Sequence, residues 1–418
     1  MLLNRTHDKF LLLLSMVSFC GFAQANPLAI STCTALANIK NNMAADYVLV
    51  NDLDCQNIQF YPITGANGQA LSFSGSLDGA GFTIANLNIQ PEKRSRDIPV
   101  GLFSSLDGAT ITNINFNTAK VYSRPDYDIG LIAGVANAAT LSNITANTLW
   151  VAKIDKTHKD STNSAGGLLG YSFDTTLTNV AVNDITLERN KFAGGLIGRA
   201  GNTTLVGGSV TDLWWTGDIA AGEAYSDSGF GGLIGRINGD VTIKQSFVSG
   251  GHIHSDDTVG GLVGLLNPSA TVTIENSYSN IRVQGKDYIG GLIGSDDRKG
   301  NEIILKNVFV VGDVVSSVEE SMGTVIGRDN TRLSERAKTG PSYFDKYTTS
   351  HKPDLTSGDK ISVGLTTDQM QDPENASYFG AKDAQGNYVW DRTIWIMEAG
   401  EYPRLQPYVP PVDVTEIL

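Results

Sequence analysis

The chain is short of basic residues: 31 Lys and Arg stand against 44 Asp and Glu over 418 residues, a formal net charge of −13. Such a surface repels nucleic acid and anionic membrane, so neither is expected as a partner, and it suits solubility or, among cofactors, Ca²⁺ alone. Charge is scarce altogether at 18% and proline numbers only 13, while hydrophobic residues make up 41%, a balance that excludes a disordered chain. Beyond residue 25 no apolar run reaches the ~20 residues of a membrane helix, so no span is expected in the mature chain. Cysteine is rarer still, with three residues.

What is present begins with a targeting pattern. Arg5 and Lys9 flank the start of an apolar run from Phe10 to Phe22, and Ala23-Gln24-Ala25 supplies a small-x-small cleavage pattern. Residues 1–25 are expected to be a signal peptide, with a mature start at Asn26 and a secreted, extracellular or cell-surface location, the periplasm being the alternative. Bulky Phe19 argues against lipidation of Cys20. Cleavage leaves Cys33 and Cys55, for which a disulfide is the default assignment in an oxidising compartment, ahead of metal binding by two lone cysteines.

Many of the 45 glycines recur in a motif. Gly-Gly-Leu-aliphatic-Gly appears whole at 166–170, 194–198, 231–235, 260–264 and 290–294, with degenerate copies at Gly101-Leu102-Phe103, Gly130-Leu131-Ile132 and 323–327. The motif leucines 102, 131, 168, 196, 233, 262 and 292 return roughly every 30 residues or somewhat more, the signature of a repeat with loops of varying length. A second motif, Thr-aliphatic-x-Asn, follows most copies and ends at Asn113, Asn143, Asn179 and Asn276; Gly207 and Gln245 replace the Asn in two units. A third short run closes most units, as in Asp184-Ile185-Thr186-Leu187.

Three short strands per unit follow from this pattern, and one such coil cannot bury its apolar face alone. Stacked coils can, which predicts an all-β, right-handed parallel β-solenoid of about eight coils, ~40 Å long at ~4.8 Å per coil. A propeller would want four strands per blade. The structural repeat glycines Gly167, Gly195, Gly232, Gly261 and Gly291 are expected to turn corners with positive φ and to let coils pack closely. The recurrent Asn is expected to adopt the left-handed conformation and form a ladder. The implied organisation is a signal peptide (1–25), an N-terminal cap (26–70), the solenoid (71–330) and a C-terminal cap or tail (331–418). Within the last, a short helix capped by Thr and a final Trp-rich strand are expected.

These motifs resemble the GLUG repeat, found in bacterial surface proteins that include filamentous adhesins and immunoglobulin-A-cleaving peptidases. The resemblance extends to the opening 47–54 and 73–84 and to the ending Gly364–Met370 with Trp390, Trp395 and Tyr402-Pro403-Arg404-Leu405. It implies fold and location more than activity: the zinc-peptidase motif His-Glu-x-x-His does not occur in this sequence, so protease activity is not implied.

The repeats account for the recurrent positions and leave function to the irregular ones. His252, His254, Asp256 and Asp257 could supply ligands to a divalent metal, two His at i and i+2 pointing to one side of a strand; an exposed corner loop is the alternative. Trp150, Trp214, Trp215 and Tyr225 could form an aromatic strip able to stack on sugar rings, against which stands filling of the interior. The paired acids Asp52/Asp54 and Asp296/Asp297 invite comparison with pectin-processing solenoids, but no base is evident beside them. His158, in the insertion 153–163, receives no role. The functional expectation is adhesion, with an extracellular glycan or surface protein as partner. A polysaccharide-acting lyase or hydrolase and a structural matrix component are the alternatives, and no catalytic residue is assigned.

Overall fold

A computed structural model describes residues 26–66, 70–91, 98–123, 127–153, 163–188, 191–215, 228–296, 301–318, 322–329, 338–349 and 362–409. The signal segment with Cys20, and the residues His158, Tyr225 and Asp297, lie outside the described residues.

The coil that starts at Ser164 shows the plan. Ser164–Gly166 leads through a corner at Gly167-Leu168 into Leu169–Phe173, and a turn at Asp174 leads into Thr176–Leu187. Each segment pairs in parallel with its counterpart one coil on: Phe192–Gly194, Ile197–Gly201 and Thr203–Trp215. Repetition of the middle segment, from Phe103–Asp107 to Ile326–Asp329, makes an eight-stranded sheet, so about eight turns stack among the described residues. The molecule is a parallel β-solenoid.

Instead of three short strands, the second and third runs of several units form one long strand, such as Thr140–Lys153, bent twice without losing its ladder, while in others, such as Asp240–Lys244 and Phe247–Ser255, the run is interrupted. The bends are single left-handed residues. At the first stand Asn113, Asn143, Asn179, Gly207, Gln245, Asn276 and Asn307, with φ between 48° and 67°. At the second stand Asn86, Thr118, Thr148, Asp184 and Asp212. One left-handed residue turns the chain while its neighbours stay extended and paired. The result is three straight legs per strand, called here the first, second and third leg.

The expected Asn ladder is present, built from side chain to side chain: Asn113 donates to Asp78 (3.0 Å), Asn143 to Asn113 (2.9 Å) and Asn179 to Asn143 (2.8 Å). It breaks at Gly207, where the Cβ of a larger residue would lie 2.7 Å from the Tyr408 side chain.

Alternate residues of each leg point inward and stack as columns. Ile111, Leu141, Leu177, Leu205, Ile243, Ile274 and Leu305 make one that is wholly buried. The repeat glycines act by close approach rather than by positive φ, which none of the five adopts. At Gly232 a Cβ would meet the Gly261 carbonyl oxygen at 2.1 Å, so only hydrogen lets the coils come together. The degenerate copy at Gly130-Leu131-Ile132 stacks out of step with the motif leucines. Leu131 donates its N–H to the carbonyl of Gly167 and Ile132 to that of Leu168, so Leu131 occupies the glycine column.

At the N-terminal end, Thr32 caps a helix, Cys33–Ala37, by accepting the Ala35 N–H (3.1 Å). Leu36 and Ile39 are fully buried against the first coil, and Cys33 is disulfide-bonded to Cys55. At the other end, Val363–Leu365 adds one parallel strand to the stack, and helix Thr367–Met370 starts in a Thr366/Gln369 capping box. The expected Trp-rich strand, Trp395–Ile396, pairs antiparallel with Arg404–Leu405.

Rather than only capping the end, this C-terminal segment lies sideways on the stack. Phe247, Tyr278, Phe309 and Tyr343 form an outward column on consecutive second legs, with ring centroids 5.1 and 4.8 Å apart at the first two steps. Phe379, Trp390 and Trp395 cover it as a second core. Asn307 donates to the Val389 carbonyl and the Trp395 indole N–H to Asn276, which pins the segment on the Asn corner.

Candidate functional site

The third leg carries the sequence candidates. After the second bend, residues run inward, outward, inward: Leu149, Trp150, Val151 in one coil and Leu213, Trp214, Trp215 two coils on. Register then sets Lys120, Trp150, Thr186, Trp214, His252 and Arg282 in a single outward column on six successive coils. Trp150 is 41% and Trp214 50% exposed. They stand two coils apart, ~10 Å, with the small Thr186 between them.

Trp215 is corrected to the interior. It is 9% exposed, stacks in the inward column between Leu187 and Ile253, and its ring lies 4.6 Å from Phe230. The two-residue alternation counted from the left-handed Asp212 leaves it no other side. Tyr225, beyond the described residues, joins no geometry here.

Across the second bend from the indoles, at the end of the second leg, runs a polar ladder in which Asn183 donates to Asn147 (2.9 Å) and Thr211 to Asn183 (2.8 Å). At the bend itself Asp184 and Asp212 are exposed and occupy the same position on adjacent coils. Sequence reading missed both acids and Thr186 as site residues. The available signal was the coil-to-coil register, which puts the run 183–187 beside 211–215.

The proposed metal ligands are brought only partly together. His252 and His254 point to one side, with ring centroids 5.7 Å apart. Burial, then the charge of Arg282 and the neighbouring His254, hold His252 below its ordinary 6.5, with opposing contributions from Gln284 and Asp313. Asp257 is engaged elsewhere: it accepts the N–H groups of Ser228 (2.9 Å) and Thr258 (2.8 Å), and burial pushes its carboxyl up. Asp256 stands beside it at the same corner, half-exposed. Among the described residues no three His, Cys, Asp or Glu side chains gather as a metal-holding group, so the quartet is not assembled as one.

The other acid pairs hold the backbone. Asp52 accepts the Thr83 N–H (2.8 Å). Asp54 accepts from Asn86 (2.9 Å) and from the Gln56 N–H (3.0 Å), and the Asn86 bond leads in holding its carboxyl below the usual range. Buried Asp296 is bonded by Asn301. No described helix is long and apolar enough to cross a membrane.

No family model matches the chain, and no curated protein matches it. Among solved structures it is similar to a "putative immunoglobulin A1 protease" from Bacteroides ovatus, at 18% identity over 92% of this chain and 93% of that one, with a TM-score of 0.44. It is also similar to a structure described as IgA1 protease, at 18% identity and a TM-score of 0.46, over 76% of this chain and 21% of that one. The chain thus spans about a fifth of the second structure's length.

Proposed function

We propose that the protein is a secreted GLUG-type repeat protein that binds carbohydrate through the third-leg face of its solenoid. The observation that carries this reading is the pair of half-exposed indoles, Trp150 and Trp214, held outward in one column by rigid strands, with an amide ladder across the bend. An indole face stacks on the apolar face of a sugar ring, and amides and carboxylates beside it meet ring hydroxyls. The Cys33–Cys55 disulfide supports an oxidising compartment, in line with the small-x-small pattern at residues 23–25.

Glycan-array screening of the mature chain tests the reading: specific binding that Trp214→Ala abolishes supports it, and binding unchanged by that substitution contradicts it. A second reading, a polysaccharide-acting enzyme, is favoured by one observation, the recurrence of an acid, Asp184 and then Asp212, at the same position of adjacent coils. Glycoside cleavage uses two carboxyl groups flanking the scissile bond. Both are exposed, whereas a general acid needs an environment that keeps its proton. Binding is therefore preferred. Release of shorter products from a bound glycan, lost in Asp184→Asn, would reverse that preference.

A further inference from the structure

We propose that Trp150, Thr186 and Trp214 form a track parallel to the solenoid axis for an unbranched, uncharged glycan, its rings stacking on the two indoles with one ring spanning Thr186. This rests on the carbohydrate-binding reading and names the ligand's shape and charge. Three features of the face carry it.

The first is direction. Outward positions of one column repeat at the strand spacing, so the two platforms line up along the axis, ~10 Å apart, about two sugar rings. A compact or branched ligand would meet only one of them. The second is the gap. Thr186 sits between the indoles in register with both, and its short side chain leaves room for a ring to pass from one platform to the other.

The third is charge. Asp184 and Asp212 at the bend and Glu188, two residues beyond Thr186, surround the middle of the track with carboxylates. The cations of the column, Lys120 and Arg282, stand at its ends, and Arg282 is answered by Asp313 at 3.6 Å. A uronic-acid chain would place its charge against three acids. An uncharged chain offers hydroxyls that those carboxylates accept from.

Isothermal titration of the mature chain tests this. The probes are linear glucose and N-acetylglucosamine oligomers of increasing length, with uronic-acid oligomers of matching length. At least one uncharged series should gain about tenfold or more between a single ring and the length that reaches both indoles, then level off. Trp150→Ala and Trp214→Ala should each return the long oligomer to single-ring affinity. Thr186→Arg, outward and half-exposed, should block long oligomers while thermal unfolding stays at the wild-type midpoint. Uronic-acid oligomers should bind at least about tenfold more weakly. Length-independent affinity, dispensability of Trp150, or preference for uronic acids overturns the track and leaves carbohydrate binding through Trp214 standing, whereas dispensability of Trp214 overturns both. No binding to any sugar, here or on the array, overturns both.

Discussion

Two groups of aromatic residues stand outward on the same long strands, and the chain treats them oppositely. On the second leg, Phe247, Tyr278, Phe309 and Tyr343 line up on four successive coils and are roofed by Phe379, Trp390 and Trp395. On the third leg, Trp150 and Trp214 are left open at 41% and 50% exposure. A chain that covers one outward aromatic column with its own C-terminal segment leaves the other for something else. Burial explains the first group; the second is where we propose that the glycan binds.

The contrast can be broken first at the roof. Trp390→Ala should cost about 3 to 5 kcal/mol, because a fully buried indole leaves a cavity that rigid strands cannot fill. In a repeat stack the damage stays near its source. Hydrogen exchange should speed up in 271–316 and 338–349 while 110–187 keeps its protection; uniform loss of protection would contradict the lateral-cover description.

Adjacent tryptophans sharpen the comparison next. Trp215→Ala should cost about 3 kcal/mol in urea unfolding, because it empties an interior position. Trp214→Ala should stay within about 0.5 kcal/mol of wild type. Equal costs would mean that the side assignment beyond Asp212 is wrong. Cys33→Ser should cost about 3 kcal/mol for a loop of this length, confined to the N-terminal cap and without effect on either aromatic group. Exchange of amides in 28–49 reports it.

The smallest effect is alkaline. Burial first, and for Tyr402 also the hydrogen bond it donates to Asp345 (2.7 Å), push Tyr278 and Tyr402 up to about 12 from the ordinary 10.0. A folded state that holds these protons more tightly than the unfolded one gains stability that is full below pH 10. That gain is lost as pH rises toward 12. The covering segment should loosen in that window, seen as a red shift of tryptophan emission, and Tyr402→Phe should flatten the dependence. An unchanged profile would contradict the buried contact.

Much of the fold was legible because its rules are local. A left-handed Asn on most coils, an inward Leu or Ile two positions earlier, and glycine where backbones nearly touch all leave marks in sequence, as at Leu177-Thr178-Asn179 and Gly232. The site was legible only in part. Alternation assigns sides only within a leg, and each left-handed residue resets it. Trp214 and Trp215 could therefore not be told apart until Asp212 was seen to bend the chain. Leu131 misled because a degenerate copy slid by one residue against the glycine column, which only pairing reveals. The covered column had a signal that went unread: an outward position aromatic on four successive coils announces a roof.

The most direct measurement is hydroxyl-radical footprinting of the five tryptophans with and without a bound glycan. The account predicts strong labelling of Trp150 and Trp214 that falls on binding, with Trp215, Trp390 and Trp395 weakly labelled throughout. Bound glycan that leaves Trp150 and Trp214 as reactive as before would contradict it.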